Sequence, residues 1–301
     1  MTATSTDTPR IRDPLTTIFV GFGVLTIVLL VGIANAVWPR WVVMWLLALA
    51  VFAVCKWLTW HAANIENTPT AKRIAYFAVW PGMDAEAFFA EQTIGPPAKR
   101  EWLFAAMKLA LGVVLIGIAV PVLKILPAVP RAWIGMAGIV FVLHFGLFHL
   151  LSCWWRTNGI AAQPLMDWPI ATTSVSDFWS RRWNIAFRDI AYRFLFRPLT
   201  VPLGTPGAML ATFLFSGLVH ELVITIPAGG GYGGPTAFFL IQAAALLAER
   251  CRTGRAIGLG RGWRGRLFTA CVVVGPTPLL FPAPFTRHVV VPFLQAMGVW
   301  S

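Results

Sequence analysis

A histidine and a glutamate lie next to each other in the middle of an otherwise strongly apolar stretch, residues 207–226. The stretch is long enough to cross a bilayer as a helix, and Ser216 would lie one turn before His220 on the same face. Ionisable side chains at membrane depth cost free energy, so His220 and Glu221 indicate a function or a buried partner. A neutral imidazole can accept a proton from an attacking hydroxyl, which makes His220 a candidate general base. The same pattern also fits a histidine that only packs between helices, or a proton-relay group of a transporter.

A second segment, residues 177–197, combines aromatic and basic side chains at helical spacing. Interpreted as one helix with Asp177 as its N-cap, it carries an apolar face flanked by arginines, which predicts an amphipathic helix in the cytosolic membrane interface. The apolar face consists of Trp183, Phe187, Ile190 and Phe194. Guanidinium groups bind phosphate, so Arg181, Arg182 and Arg188 are candidates for contacts with a phosphate-bearing soluble donor. Snorkelling arginines on an ordinary interfacial helix are the alternative interpretation.

The composition of the chain places both segments in a membrane. Of its 301 residues, 57% are hydrophobic and 12% are charged, whereas soluble domains are about one quarter charged. Apolar stretches of membrane-spanning length predict about seven or eight transmembrane helices. These stretches are residues 15–34, 41–58, 103–123, 133–154, 207–226, 235–248 and 267–281, with a weaker one at 289–300. We therefore expect an all-α, polytopic helical bundle that forms one membrane-embedded domain over residues 1–301.

The net charge of +12 is distributed unevenly along the chain. If the N-terminal tail 1–14 is cytosolic and the spans alternate, the segments 59–102, 155–206 and 249–266 are cytosolic and hold most of the arginines. The arginines are then topology signals and contacts for anionic membrane lipids or phosphate, and nucleic acid is not expected as a partner. Residues 34–36 resemble a cleavage site, but the apolar stretch 15–34 is longer than that of a signal peptide, which favours a retained anchor. The compact chain favours a bacterial inner membrane.

No pattern in the sequence predicts a metal site or a tightly bound cofactor. The four cysteines show no CxxC spacing, and His144 and His149 face different sides of their predicted helix. The glycine run 229–234 lacks the lysine and the serine or threonine of a P-loop, so it predicts a flexible turn. Residues 80–84, WPGMD, predict another turn because of their Pro-Gly pair.

Two motifs together resemble one protein family. Residues 176–184, SDFWSRRWN, resemble the DFWGRRWN signature of the wax synthase-like branch of the membrane-bound O-acyltransferases, with Ser180 where many relatives have glycine. Residues 213–221, FLFSGLVHE, resemble the FLxSGLxHE motif of the same branch. Residues 80–84, 158–160 and 164–167 add shorter similarities. The resemblance is dense over residues 144–222, which makes this part the expected catalytic core.

The resemblance implies transfer of an acyl chain from acyl-CoA, as donor co-substrate, to an acceptor hydroxyl inside the membrane. It implies that His220 is the catalytic base and Asn184 the second catalytic residue, and that the acceptor is a lipophilic alcohol, as in wax ester synthesis. The remaining candidates, all for substrate binding, are Arg181, Arg182, Trp183, Arg188, Trp179, Ser216 and Glu221. A sterol, glycolipid or surface-glycan acceptor is the alternative within this enzyme class. A proton-coupled transporter and a membrane scaffold without activity are the alternatives outside it.

Overall fold

Long apolar helices make up most of the structure, a computed structural model that describes residues 37–63, 65, 68–90 and 94–300. The longer helices are α1 (Arg40–Ala62), α4 (Lys99–Val122), α5 (Ala128–Thr157), α7 (Ile185–Ala228), α8 (Gly234–Arg250), α10 (Gly262–Leu280) and α11 (Ala283–Ala296). Between them lie α2 (Thr70–Ile74, continued by Ala75–Val79), α3 (Ala85–Phe89), α6 (Val175–Asp177, continued by Phe178–Arg182) and α9 (Arg252–Ile257). No strand occurs among the described residues, which confirms the all-α class.

Four of these helices are long and apolar enough to cross a membrane, namely α1, α4, α5 and α7. The pair α10 and α11, bent by 60° at its break, passes the same test as a fifth span. Helix α8 has 17 residues and is shorter than α1, α4, α5 and α7. The predicted span 15–34 and the tail 1–14 lie outside the described residues. Many large apolar side chains along the long helices are exposed, as expected for surfaces that face lipid.

Glycines bring the transmembrane helices into close contact. A Cβ atom on Gly112 of α4 would lie 2.6 Å from the backbone nitrogen of Val142 in α5, and one on Gly146 would lie 2.8 Å from the Cα atom of Leu109. Small residues at such crossings let two backbones approach, which is how helices associate where the lipid gives no hydrophobic driving force. Helices α4 and α5 therefore pack as a tight pair.

Buried apolar side chains join the helices into one bundle. One cluster contains Ile116, Ala132, Ile224 and Leu294, which come from α4, α5, α7 and α11. A second cluster packs α2 and α3 against the end of α5 and includes Trp80 of the WPGMD segment and Phe88 of α3. The first cluster fixes the C-terminal end of α7, the helix that carries His220.

Helix α7 differs from the predicted arrangement in two ways. The segment 177–197 is not one helix, because Trp183 is extended and Asn184 has a left-handed backbone (φ 45°, ψ 59°), so α6 ends before them and α7 begins after them. The 44 residues of α7 then include the predicted span 207–226, and a kink at Gly204 (φ 64°) separates its first part from that span. Gly204 stands between Pro202 and Pro206, and glycine adopts this positive φ without a steric penalty.

Candidate active site

His220 lies one helical turn after Ser216 in α7 and is half-buried. Its Nδ1 atom is 2.7 Å from the carbonyl oxygen of Ser216, and its ring packs on the ring of Phe239 in α8, with 4.5 Å between the centroids. A carbonyl oxygen can only accept a hydrogen bond, so Nδ1 must carry the proton and donate it. In the neutral imidazole Nε2 then has a free lone pair, which is the state that a general base needs.

The neighbours of His220 in the SGLVHE motif hold the helices in place. The hydroxyl of Ser216 donates to the carbonyl of Thr212 at 3.0 Å, so Ser216 orients His220 through its backbone carbonyl. A Cβ atom on Gly217 would lie 2.7 Å from the Cα atom of Thr236, so the glycine permits the close contact of α7 with α8. That contact brings Phe239 of α8 against the imidazole.

Both carboxylate oxygens of Glu221 are hydrogen-bonded to threonines. Oε1 accepts from the backbone N–H and the hydroxyl of Thr236, at 3.1 and 3.0 Å, and Oε2 accepts from the hydroxyl of Thr225 at 2.6 Å. Thr236 lies in the first turn of α8, where backbone N–H groups have no partner within the helix and a negative charge is favourable. In this geometry Glu221 caps α8 from the side.

Trp179 links the DFWSRRWN segment to His220. Its ring lies 5.7 Å from the ring of Phe239, and Phe239 packs on the imidazole. The indole N–H donates to Oε1 of Gln242 at 3.2 Å, and the Gln242 amide donates to the carbonyl of Val272 at 2.8 Å. Gln242 is fully buried, so the indole that it holds reaches the interior of the bundle. The structure thus connects the two motif-bearing segments through α8.

Asn184 stands at the break between α6 and α7, and its backbone is fixed on both sides. The N–H of Asn184 donates to Sδ of Met166 at 3.1 Å, and the N–H of Ile185 donates to the carbonyl of Leu165 at 3.0 Å. The side-chain amide of Asn184 has no hydrogen-bond partner within the described part of the chain, and no hydrogen bond joins it to His220. A rigid backbone with a free amide is an arrangement suited to binding a substrate oxygen.

Trp183 packs inside the same region instead of facing the membrane interface. Its ring stacks on that of Phe178, with an interplanar angle of 13° and 5.6 Å between the centroids, and lies 6.2 Å from the ring of Phe145 in α5. The predicted apolar face of residues 177–197 is therefore divided, because the break turns Trp183 towards α5 and leaves Phe187 exposed on α7.

Asp177 is the anchor of the two neighbouring arginines and is not the N-cap. The N-cap of α6 is Ser174, whose hydroxyl accepts from the N–H of Asp177 at 2.9 Å. The buried carboxylate of Asp177 accepts from Nε of Arg182 at 2.6 Å and from Nε of Arg181 at 3.0 Å. Burial alone raises the pKa of Asp177, but the hydrogen bonds from Arg182 and from the Thr173 N–H, with the charges of both arginines, lower that pKa below its usual value.

The three candidate phosphate-binding arginines differ in their exposure and in their hydrogen-bond partners. Arg181 is 72% exposed and reaches solvent beyond Asp177, whereas Arg182 is 22% exposed and also donates to the carbonyl of Asp167 at 3.2 Å. Arg188 donates to the carbonyl of Ser180 and pairs with Asp189 at 2.5 Å. Arg181 is thus the member best placed to meet a soluble anion, while Arg182 holds the loop together.

A buried polar cluster beside this site was not predicted. Lys108 of α4 lies 2.7 Å from Nδ1 of His149 in α5, and Nε2 of His149 lies 3.0 Å from Glu101. Donor atoms of Glu101, His149 and Cys153 lie within 4.8 Å of one another, but the guanidinium of Arg156 contacts both Glu101 and Cys153. A cation thus already occupies the space between these two groups, and the arrangement is best described as an ion-pair network. Lys108 and His149 inside predicted spans were the sequence signal for it.

The segment that builds this site is similar in sequence to known proteins. Residues 162–241 match the sequence profile of the membrane bound O-acyl transferase family, and this range contains both motifs and the part of α8 that holds Phe239. The match confirms the resemblance to the membrane-bound O-acyltransferases. The chain is also similar to the long-chain-alcohol O-fatty-acyltransferase of Simmondsia chinensis, with 36% identity over 145 residues that cover 44% of this chain and 41% of the relative.

A second relative comes from another plant. The protein named "Probable long-chain-alcohol O-fatty-acyltransferase 9" of Arabidopsis thaliana is 32% identical over 143 residues, which cover 43% of this chain and 42% of that protein. The matched part spans less than half the length of either relative. The similarity to this membrane-bound acyltransferase branch thus concerns the segment that builds the candidate site.

Proposed function

We propose that the protein is an acyl-CoA-dependent O-acyltransferase that esterifies the hydroxyl of a lipophilic alcohol, and that residues 1–301 act as one membrane-embedded catalytic domain. The observation that carries the proposal is the hydrogen bond from Nδ1 of His220 to the Ser216 carbonyl, at 2.7 Å. This bond leaves Nε2 as a proton acceptor in a half-buried position between two helices of the family segment.

In the proposed reaction, Nε2 of His220 takes the proton of the alcohol as its oxygen attacks the thioester carbonyl carbon. The carbonyl oxygen becomes an oxyanion, to which the free amide of Asn184 donates a hydrogen bond. The intermediate collapses with cleavage of the carbon–sulfur bond, and the imidazolium returns the proton to the leaving thiolate of CoA. The products are an ester and free CoA, and His220 ends in its initial protonation state.

The donor would approach from the cytosolic side, where the positive-inside rule predicts that the loop around α6 lies. Arg181, with its exposed guanidinium, would bind the donor phosphates, while Arg182 and Arg188 keep the loop in shape. Trp179 and Trp183 would line the path of the acyl chain, since they extend from this loop towards α8 and α5. Ser216 and Glu221 would contribute by orienting His220 and α8.

The experiment is an assay of the purified wild-type protein with a long-chain acyl-CoA and a panel of acceptors. Fatty alcohols, a sterol and diacylglycerol are supplied separately, and free CoA and new esters are followed by mass spectrometry. The proposal expects CoA release in equal amount to ester formation, with fatty alcohols as the preferred acceptors. Preparations from cells without the protein control for contaminating transferases.

Two results would contradict the proposal in different ways. Ester formation with a sterol or diacylglycerol, and none with fatty alcohols, would retain the enzyme class but overturn the acceptor. Absence of CoA release from every donor, by protein that is folded in detergent, would overturn the acyltransferase activity itself.

A further inference from the structure

Six arginines and no acidic residue occur between residues 250 and 266, the segment that contains α9 and the start of α10. We call this segment the basic hairpin. Its arginines are Arg250, Arg252, Arg255, Arg261, Arg264 and Arg266, and all of them are exposed. A concentration of positive charge on a short exposed segment creates a potential that attracts anionic partners.

The arginines of the basic hairpin have few partners in the protein. Arg250 donates to the hydroxyl of Ser176 at 3.3 Å, and Arg264 donates to the carbonyl of Ile257 at 3.4 Å. Within the described part of the chain, the side chains of Arg252, Arg255 and the two remaining arginines make no hydrogen bond or ion pair. The nearest acidic residue, Glu249, is buried and accepts the N–H of Val175 at 2.7 Å. The arginines are therefore available for an external anion.

An apolar groove of about 450 Å³ lies within the basic hairpin and the following turns of α10, and Arg264 is the one arginine in its wall. Its wall includes Ile257, Trp263, Leu267 and Phe268, together with Arg264. Trp263 is 70% exposed and Leu267 is 57% exposed. Tryptophan with an exposed ring is typical of the level of the lipid headgroups, where its apolar body and polar N–H are both satisfied.

We propose that the basic hairpin binds an anionic phospholipid, whose headgroup phosphate is held by exposed arginines of the hairpin such as Arg255, Arg261 and Arg266, with the start of an acyl chain in the groove beside Trp263 and Arg264. Charge complementarity selects an anion, and the apolar wall next to the arginines selects a lipid over a soluble phosphate. Each basic side chain near an anionic membrane surface strengthens binding by about fivefold. This inference does not depend on the proposed acyltransferase activity.

The hairpin also supports the α6 loop directly. A Cβ atom on Gly265 would lie 2.4 Å from the carbonyl oxygen of Thr173, and one on Gly260 would lie 3.1 Å from Cγ of Glu249. Glu249 in turn holds the N–H of Val175, the first residue of α6. A lipid bound to the hairpin would thus steady the segment that carries Asp177 and Trp179.

The test measures binding of fluorescent phosphatidylglycerol to the full-length protein in neutral detergent. The triple variant Arg255→Gln/Arg261→Gln/Arg266→Gln is compared with a matched control, Lys99→Gln/Arg100→Gln/Arg197→Gln, which removes three exposed cations from other predicted cytosolic segments. We expect the hairpin variant to bind the lipid on the order of 100-fold more weakly than wild type, and the control to bind it within about threefold. Thermal unfolding of each variant shows whether it is folded.

A second comparison separates a lipid from a soluble phosphate. The Trp263→Ala variant should bind a long-chain phosphatidylglycerol severalfold more weakly than wild type. Its affinity for glycerophosphoglycerol, which is the headgroup without acyl chains, should be unchanged. Equal losses in the hairpin and control variants would overturn the proposal, because they would show attraction by net charge only. Full displacement of the lipid by inorganic pyrophosphate, or equal binding of phosphatidylcholine, would overturn it as well.

Discussion

Substitution of Glu221 tests how the SGLVHE motif works. The carboxylate of Glu221 holds the start of α8, and among the described residues no hydrogen bond joins it to His220. To cap α8, residue 221 must have the shape of glutamate and an acceptor oxygen, but it does not have to exchange a proton. A proton-relay role, as in a transporter or a catalytic dyad, needs the carboxylic acid itself. Glu221→Gln and Glu221→Ala distinguish the two roles.

The magnitudes follow from the hydrogen bonds that each variant retains. In Glu221→Gln, the amide oxygen can still accept from Thr236, and the amide N–H can donate to the hydroxyl of Thr225, which still has the backbone carbonyl of residue 221 at 3.0 Å as its own acceptor. The cost is then the lost charge at the helix start, about 0.3–1 kcal/mol. Glu221→Ala leaves the N–H of Thr236 without a partner and removes the charge, which together cost about 2–4 kcal/mol.

The assay pairs the free energy of unfolding in detergent with the rate of ester formation. We expect Glu221→Gln to keep at least about one third of the wild-type rate, and Glu221→Ala to lose both stability and most of its rate, because the loss of the cap shifts α8 and Phe239. A Glu221→Gln variant that is as stable as wild type but inactive would refute the capping role and favour proton exchange at this position.

Further predictions concern packing, charge and pH. Gly217→Val should lower the unfolding free energy by about 1–3 kcal/mol and reduce kcat, because the valine side chain collides with Thr236. Gly217→Ala should have smaller effects of the same kind, and unfolding and rate assays check both variants. Arg181→Gln should raise the KM for acyl-CoA several-fold with little change in kcat or stability, and an unchanged KM would remove Arg181 from the donor site. Because the folded-state pKa of Asp177 is lowered, its contribution to stability is present above the unfolded pKa of about 3.9 and is lost as pH falls through the folded value. Unfolding midpoints between about pH 6 and pH 3 should therefore show that the advantage of wild type over Asp177→Asn shrinks below about pH 4, and a constant difference would contradict this.

The positions of several spans could be predicted because hydropathy alone determines them. Residues 41–58 and 133–154 were predicted as spans and lie inside α1 and α5, which are long and apolar enough to cross a membrane. Residues 235–248 form most of α8, a helix of 17 residues, and their assignment as a span stays a prediction. The helices extend a few residues beyond the apolar stretches, because polar residues such as those in the first turn of α4 are also helical. The predicted total of seven or eight spans stays a prediction.

The break at Trp183 and Asn184 could not be predicted, because helical spacing of apolar residues continues across it. The backbone there is set by hydrogen bonds to Leu165, Met166 and Asp167, which are distant in sequence. Asparagine tolerates the left-handed conformation better than most residues, but this preference alone does not indicate a helix end.

The roles of Phe239 and Gln242 were also invisible in the sequence. Both lie in a span without charged residues, and nothing in their spacing indicates that one packs on His220 and the other holds Trp179. Their functions arise from the close approach of α7 and α8 at Gly217, which is a tertiary contact. A buried glutamine in a predicted span was the available signal, since such amides form hydrogen bonds between helices.

The rate of ester formation by His220→Asn, with His61→Ala as the control, tests directly whether His220 is the catalytic base. The asparagine amide can still donate to the Ser216 carbonyl but cannot accept the proton of the alcohol, while His61 is an exposed histidine at the end of α1. If His220 is the base, folded His220→Asn should lose about 10²–10⁴-fold in kcat, and His61→Ala should retain the wild-type rate. A folded His220→Asn protein that forms the ester at the wild-type rate would show that His220 is not the base.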